Sequence, residues 1–336
     1  MAVAEINAQN LEILDRKPRS LWRESFRRLF NNKIAVIGGV FIIVLVFVAI
    51  FADEIAPFHY AKQDLILNNG VPEYFLPLMP AGAENYARIT DKFLLGADHL
   101  GRDLLSRTLY GSRVSLAVAF VASTVSMLIG LFYGTIAGYV GGRVDNIMMR
   151  IVDLLYGFPF LILVILLQTY LKAFARRGAE GAFANSILDM NEAMGGMLLL
   201  FIAIGLVNWI GMARIARGQV LSYKEKEFIE AAHSVGASSL RIIGRHLVPN
   251  IIGPLIIYET MAIPGYIFTE SFLSFIGLGV DPPTASWGIM IAESVPGIRS
   301  YPLQMLVPAV FLSLTTLAFN FLGDGLRDAF DPRMAE

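Results

Sequence analysis

Glu230-Ala231-Ala232-His233-Ser234-Val235-Gly236, with Pro249 thirteen residues after the glycine, decides how this chain is read. The stretch is polar and helix-prone, yet it lies between two segments apolar enough to span a bilayer. Turning a chain around in water needs no folded, capped helix, so a structured loop of this size implies a docking surface for another protein. Ser222-Tyr223-Lys224-Glu225 has the S-x-x-E form of a capping box, which predicts a helix start there. Gly236 can take the left-handed conformation that ends a helix. The 13 residues between Ser222 and Gly236 would make a helix of about 20 Å. Phe228, Ala231, Ala232 and Val235 fall on one of its faces, and Lys226, Glu230 and His233 on the other. A second short helix is expected over 238–246, with the next span beginning at Pro249.

Composition makes the bilayer the solvent for much of the chain. Of 336 residues, 55% are hydrophobic and only 16% charged, with a mean hydropathy of +0.59. Soluble domains run nearer 45–50% apolar and roughly 25% charged. Apolar runs approaching the ~20 residues needed to cross a ~30 Å hydrocarbon core lie at 34–52, 114–139, 151–171, 197–214, 249–276 and 303–322. The expected fold class is therefore an all-α polytopic membrane protein with six transmembrane helices. The first run is too long for a signal-peptide core and no A-x-A site follows it, so it is read as retained. With the N-terminus inside, the inner segments carry 17 of the 27 Lys and Arg, and the longer outer segments carry 10. That bias puts both termini and the Glu230 loop on the cytoplasmic face.

Residues 1–33 form a basic N-terminal cytoplasmic arm, and Leu21, Trp22, Ser25, Phe26 and Leu29 give it one apolar face to lie along the inner membrane surface. The segments 53–113, 172–196 and 277–302 are external loops, 215–248 is the cytoplasmic loop and 323–336 a cytoplasmic tail. In the second span Ser126, Gly130, Gly134, Gly138 and Gly142 recur every four residues, a stripe that lets another helix approach closely, within this chain or across a subunit interface. Net charge −1 and the lack of a basic tract give no reason to expect nucleic acid. No cysteine is present, and the four histidines lack HExxH spacing, so neither thiol chemistry nor a metal site is expected. There is no G-x-x-x-x-G-K-[ST] for a nucleotide and no G-x-S-x-G. Neither an internal repeat nor inverted symmetry supports a stand-alone secondary transporter, and that reading leaves the Glu230 loop without a purpose.

Glu230, Ala231, Ala232, Gly236 and Pro249 together resemble the EAA loop of ABC-importer permeases, with His246 and Val248 where the general pattern prefers Ile and Leu. Other stretches narrow the resemblance. Gly96-Ala97-Asp98-His99-Leu100-Gly101-Arg102-Asp103-Leu104-Leu105-Ser106-Arg107 is similar to the entry of the second span in peptide permeases. Gly138-Tyr139-Val140-Gly141-Gly142-Arg143-Val144-Asp145, Glu270-Ser271-Phe272-Leu273-Ser274-Phe275-Ile276-Gly277 and Gly323-Asp324-Gly325-Leu326-Arg327-Asp328 follow in the same order. Across nearly the whole chain this resembles the C-type permease subunit of oligopeptide and dipeptide importers. The stretch near 66–92 and the loop 172–196 look longer than is typical.

The resemblance implies the type I ABC importer fold in a bacterial inner membrane. It also implies a B-type permease partner, two ATPase subunits, an extracytoplasmic binding protein and a peptide cargo. ATP and Mg would be bound by the ATPase subunits, with no cofactor and no catalytic residue in this chain. The same architecture also serves nickel, glutathione or other small solutes. Phe228, Glu230, Ala231, Ala232, Gly236 and Pro249 are then the expected ATPase-coupling residues, with Phe228, Ala231 and Ala232 as the contact face. Glu259 and Asn208 are the candidates for the translocation path, because carboxylates and amides inside a span tend to face a cavity or a partner. Glu259 pairing with a polar neighbour, and Asn208 bonding another helix, are the competing readings. Pro159 and Pro264 are expected to kink their helices.

Overall fold

Each apolar run becomes helix, but the helix boundaries follow packing rather than hydropathy. The structure, a computed structural model, describes residues 21–177 and 182–330. Most of the basic arm and the last residues of the tail lie outside these. Leu21–Asn31 forms α1, and Asn32 then caps α2 (Lys33–Ile50) by accepting from Ala35 N at 3.2 Å. An irregular segment follows, holding a two-stranded parallel ribbon of β1 (Gly70–Val71) and β2 (Arg88–Ile89). Val71, Met79, Ala83 and Leu303 form its small core, which seats it on the start of the last helix.

The next helix, α3 (Leu104–Val140), begins ten residues before the expected 114, because Asp103 caps it by accepting from Ser106 N at 2.7 Å. Its 37 residues exceed what a bilayer requires, so one end projects beyond the apolar zone. The run expected as one span at 151–171, kinked at Pro159, is a bent pair, α4 (Gly142–Tyr156) and α5 (Phe160–Arg177), turning by 87°. Pro159 sits in the break with Gly157; a proline lacks the N–H that the helix needs, and it disfavours helical geometry at Phe158 before it. After α6 (Ala182–Ala193), α7 (Met197–Tyr223) packs along α3. Then come α8 (Glu227–Ser234), α9 (Ser239–Phe275), α10 (Trp287–Ser294) and α11 (Leu303–Phe330). Five of these helices are long and apolar enough to cross a membrane, or up to six if the bent pair counts as one span. Pro264 lies inside α9, which stays helical through it.

The glycine stripe is spent within the chain. A Cβ at Gly130 would lie 2.3 Å from Met212 Cγ, one at Gly134 2.3 Å from the Ala213 carbonyl oxygen, and one at Gly138 3.0 Å from that of Arg217. The contacts advance together along both helices, so α3 and α7 run parallel and nearly backbone to backbone. Lys224 Nζ closes the seam on the Gly138 carbonyl at 3.2 Å.

Candidate coupling surface and transmembrane path

The Glu230 loop is smaller than its sequence implied, and differently built. Ser222 and Tyr223 are the last turn of α7, so the expected capping box starts no helix; Val220 is fully buried and Tyr223 packs against the same core, which carries α7 on. The free helix is α8, eight residues long, with Lys226 as its N-cap residue. Gly236 ends it in the left-handed region at φ 78°, where the sequence put the turn. Beyond it the short helix expected over 238–246 is not separate from the next span. The chain runs from Ser239 to Phe275 as α9, with a π-helical turn at Ile243–Leu247 that absorbs the missing N–H and the ring of Pro249.

The two faces of α8 also divide differently. Ile229 and Ala232 turn inward onto Ile242, Leu247 and Ile251, so Ala232 belongs to the support rather than to the contact face. What stays outside is Phe228 (41% exposed), Ala231, Val235 (84%) and, across the turn, Leu240 (83%). Ile229 and Leu240 were missed in the sequence. The signal was present, since each is a large apolar residue in a polar stretch, one needing burial and the other finding none. Glu230 is exposed, and no ion pair joins it to Lys226 among the described residues. Phe228 and His246 face each other with ring centroids 6.4 Å apart, and Tyr139 stacks on His233 at 6.5 Å. The loop is thereby tied to the ends of α3 and α9.

Glu259 does not stand on an open wall. It is 4% exposed, between α3 and α9, accepting from Ser126 Oγ at 2.7 Å and from the Tyr266 hydroxyl at 2.8 Å. Glu270, nearer the other end of α9, is fully buried and accepts from Ser274 Oγ at 2.8 Å and Ser115 Oγ at 3.1 Å. Both carboxylates therefore join α3 to α9 inside the chain. Asn208 is placed otherwise: its Nδ2 donates to the Ile204 carbonyl at 2.8 Å, and it lines a cavity of about 360 Å³ at the elbow between α4 and α5.

At the end of the bundle away from Gly236, charged residues at the entry of α3 form a closed set. Asp98 Oδ2 accepts from Arg102 Nε at 2.6 Å and from Arg107 Nη1 at 2.5 Å. Glu293 Oε2, at the end of α10, accepts from Arg102 Nη2 at 2.7 Å and Arg107 Nη1 at 2.6 Å. Burial pushes the Asp98 carboxyl up, but the Arg107 and Arg102 guanidiniums outweigh it and hold its pKa below the ordinary carboxylate range. Asp103, buried without such a partner, is pushed up by that burial against the Ser106 hydrogen bonds. Asp98, His99 and Glu293 lie close enough together to suggest a cation site, but the two guanidiniums already neutralise the carboxylates.

Comparison with known proteins bears on both ends of this arrangement. The family model described as "Binding-protein-dependent transport system inner membrane component" matches residues 130–336, and "N-terminal TM domain of oligopeptide transport permease C" matches residues 20–77. The oligopeptide transport system permease protein OppC of Haemophilus influenzae is 40% identical over 97% of this chain and 93% of its own length. The dipeptide transport system permease protein DppC of Bacillus subtilis is also 40% identical, over 94% of this chain and 87% of its own. Among solved structures, the MetNI methionine ABC transporter in inward facing conformations aligns with a TM-score of 0.50 at 18% identity, covering 67% of this chain and 97% of that one. That likeness shows the shared fold alone.

Proposed function

Because the chain belongs to the binding-protein-dependent transport system inner membrane components, we propose that it is the C-type permease subunit of an ATP-driven peptide importer in a bacterial inner membrane. It forms half of the translocation path beside a second, B-type permease. Peptide reaches it from an extracytoplasmic binding protein. Two separate ATPase subunits bind ATP and Mg and dock on the Glu230 loop, and this chain itself carries no cofactor.

The observation that carries the reading is the loop. A short helix leaves Phe228, Ala231, Val235 and Leu240 in water while Ile229, Ala232, Ile242 and Leu247 anchor it to the spans beneath. Exposed apolar side chains on a rigid support are what a cleft in another protein requires. Gly236 sets the turn between α8 and α9, so a push on α8 passes directly into a continuous helix of 37 residues. Glu230 and Pro249 keep a role here as well: Glu230 as the exposed polar rim of the surface, and Pro249 in setting the π turn where α9 leaves the loop.

Six crossings with both termini cytoplasmic fit this reading. Helices α3 and α7 pack parallel, so the chain between them must return to the end where α3 began, which supports counting the bent α4–α5 pair as one crossing. Replacing Val235 and Leu240 together by Glu tests the docking role, since neither side chain is buried and the fold has no need of them. The double variant is expected to reach the membrane at normal levels and to lose ATPase subunits on purification. Retention of those subunits with undiminished uptake would reject the surface.

A further inference from the structure

The cavity at the α4–α5 elbow has the chemistry of a peptide-backbone site. It measures about 360 Å³, within the ~300–1,000 Å³ of small-molecule sites. Its wall mixes aromatic side chains, Tyr156, Phe158, Phe160 and Tyr258, with the amide of Asn208, and no charged residue lines it. Asn208 lies near the middle of α7, where an amide facing lipid is costly. Each polar group has a neighbour that constrains it. Asn208 is held through Nδ2 by the Ile204 carbonyl, leaving Oδ1 free to accept. The Arg214 guanidinium sits 4.2 Å from the Tyr156 ring centroid and is itself held by Asp153 at 2.7 Å. Tyr258 reaches so close to α7 that a Cβ at Gly211 would fall 2.3 Å from its hydroxyl oxygen. Neither tyrosine hydroxyl has a hydrogen-bond partner among the described residues.

We infer that this elbow cavity is this subunit's share of the cargo site, binding an extended peptide through its backbone: Asn208 Oδ1 accepts from a peptide N–H, and the Tyr156 and Tyr258 hydroxyls donate to peptide carbonyls. The inference rests on the peptide-import reading above and adds to it a binding site and a basis for selectivity. Peptide amides that leave water need hydrogen-bond partners, and every peptide offers them whatever its side chains. Aromatic walls without charge tolerate varied side chains. A site so built takes many sequences and rejects solutes that lack a peptide backbone.

The test uses the complete importer in proteoliposomes with its binding protein, ATP and radiolabelled trialanine. Asn208→Leu and Tyr258→Phe are each expected to lower uptake about tenfold, as loss of one buried hydrogen bond would. A photoreactive benzoylphenylalanine in place of Phe158 is expected to capture the labelled peptide during turnover. If a variant fails to copurify with the other subunits, the capture experiment alone decides. Wild-type uptake with unaffected variants and no capture at 158 would overturn the cavity assignment and leave the importer reading standing. Absence of uptake of trialanine, or of any di- or tripeptide, by the wild-type complex would overturn the reading beneath it as well.

Discussion

Gly236 shows how a single position sets the geometry of the loop. Its φ of 78° lies where a β-branched residue is an outlier, yet beyond its two chain neighbours no described atom lies within 4 Å of where a Cβ would be. Any penalty at Gly236 is therefore purely one of backbone. Gly236→Val should cost about 1–3 kcal/mol locally and depress transport. Gly236→Asn, which tolerates the left-handed region, should retain most of it, as uptake assays at matched membrane levels will show. Gly134 is the opposite case, with a helical backbone but no room, so Gly134→Val should separate α3 from α7 and reduce the folded yield. Asp98 tests charge. Asp98→Asn leaves two buried guanidiniums sharing the Glu293 carboxylate, at a cost of roughly 3–5 kcal/mol, and should expose the segment before α3 to protease. Because the folded pKa of Asp98 is depressed, its contribution is present above the ordinary value of 3.8. It is lost only as pH falls below that value. Protease resistance should accordingly hold at pH 5 and fail in strong acid.

Buried hydrogen bonds decide how α3 and α9 hold together. Glu259→Gln keeps an acceptor for one of the Ser126 and Tyr266 hydroxyls and should leave assembly and uptake near normal. Glu259→Leu strands both donors, at about 1–3 kcal/mol each, and should lower the thermal midpoint of the purified complex. A strong fall in uptake for the Gln variant alone would return Glu259 to the path. The elements differed in how well the sequence announced them. The left-handed turn at Gly236 and the start of α7 at Met197 were legible because local chemistry fixes them. The capping box at Ser222 misled because burial of Val220 and packing of Tyr223 overrode a local signal. The bend at Pro159 was expected as a kink, but its 87° depends on what α4 and α5 pack against, which no spacing reveals. The pairing of Ser126 with Glu259 joins residues 133 apart in sequence, so the serine read as part of a glycine stripe while its hydroxyl served a carboxylate.

Across the whole molecule, hydropathy alone separated membrane from water, and the order of motifs from residue 96 to residue 328 supplied the family before any fold was known. The elbow cavity stayed hidden, because Tyr156, Asn208 and Tyr258 sit on three helices and meet only when α4–α5 folds back against α7 and α9. The placement is coherent: an exposed apolar surface at one end, an uncharged cavity between, and at the other end a charge-locked segment joined to the ribbon of β1 and β2. Each is tied to the next by helices that run the length of the bundle. The central claim is that this chain turns the work of other subunits into helix movement, and its composition in the native membrane tests that most directly. Purification of the tagged chain in mild detergent, with mass spectrometry and an ATPase assay on the eluate, should return a second permease and ATPase subunits in stoichiometric amounts with measurable hydrolysis. Recovery of the chain alone, from a preparation in which other membrane complexes remain intact, would contradict it.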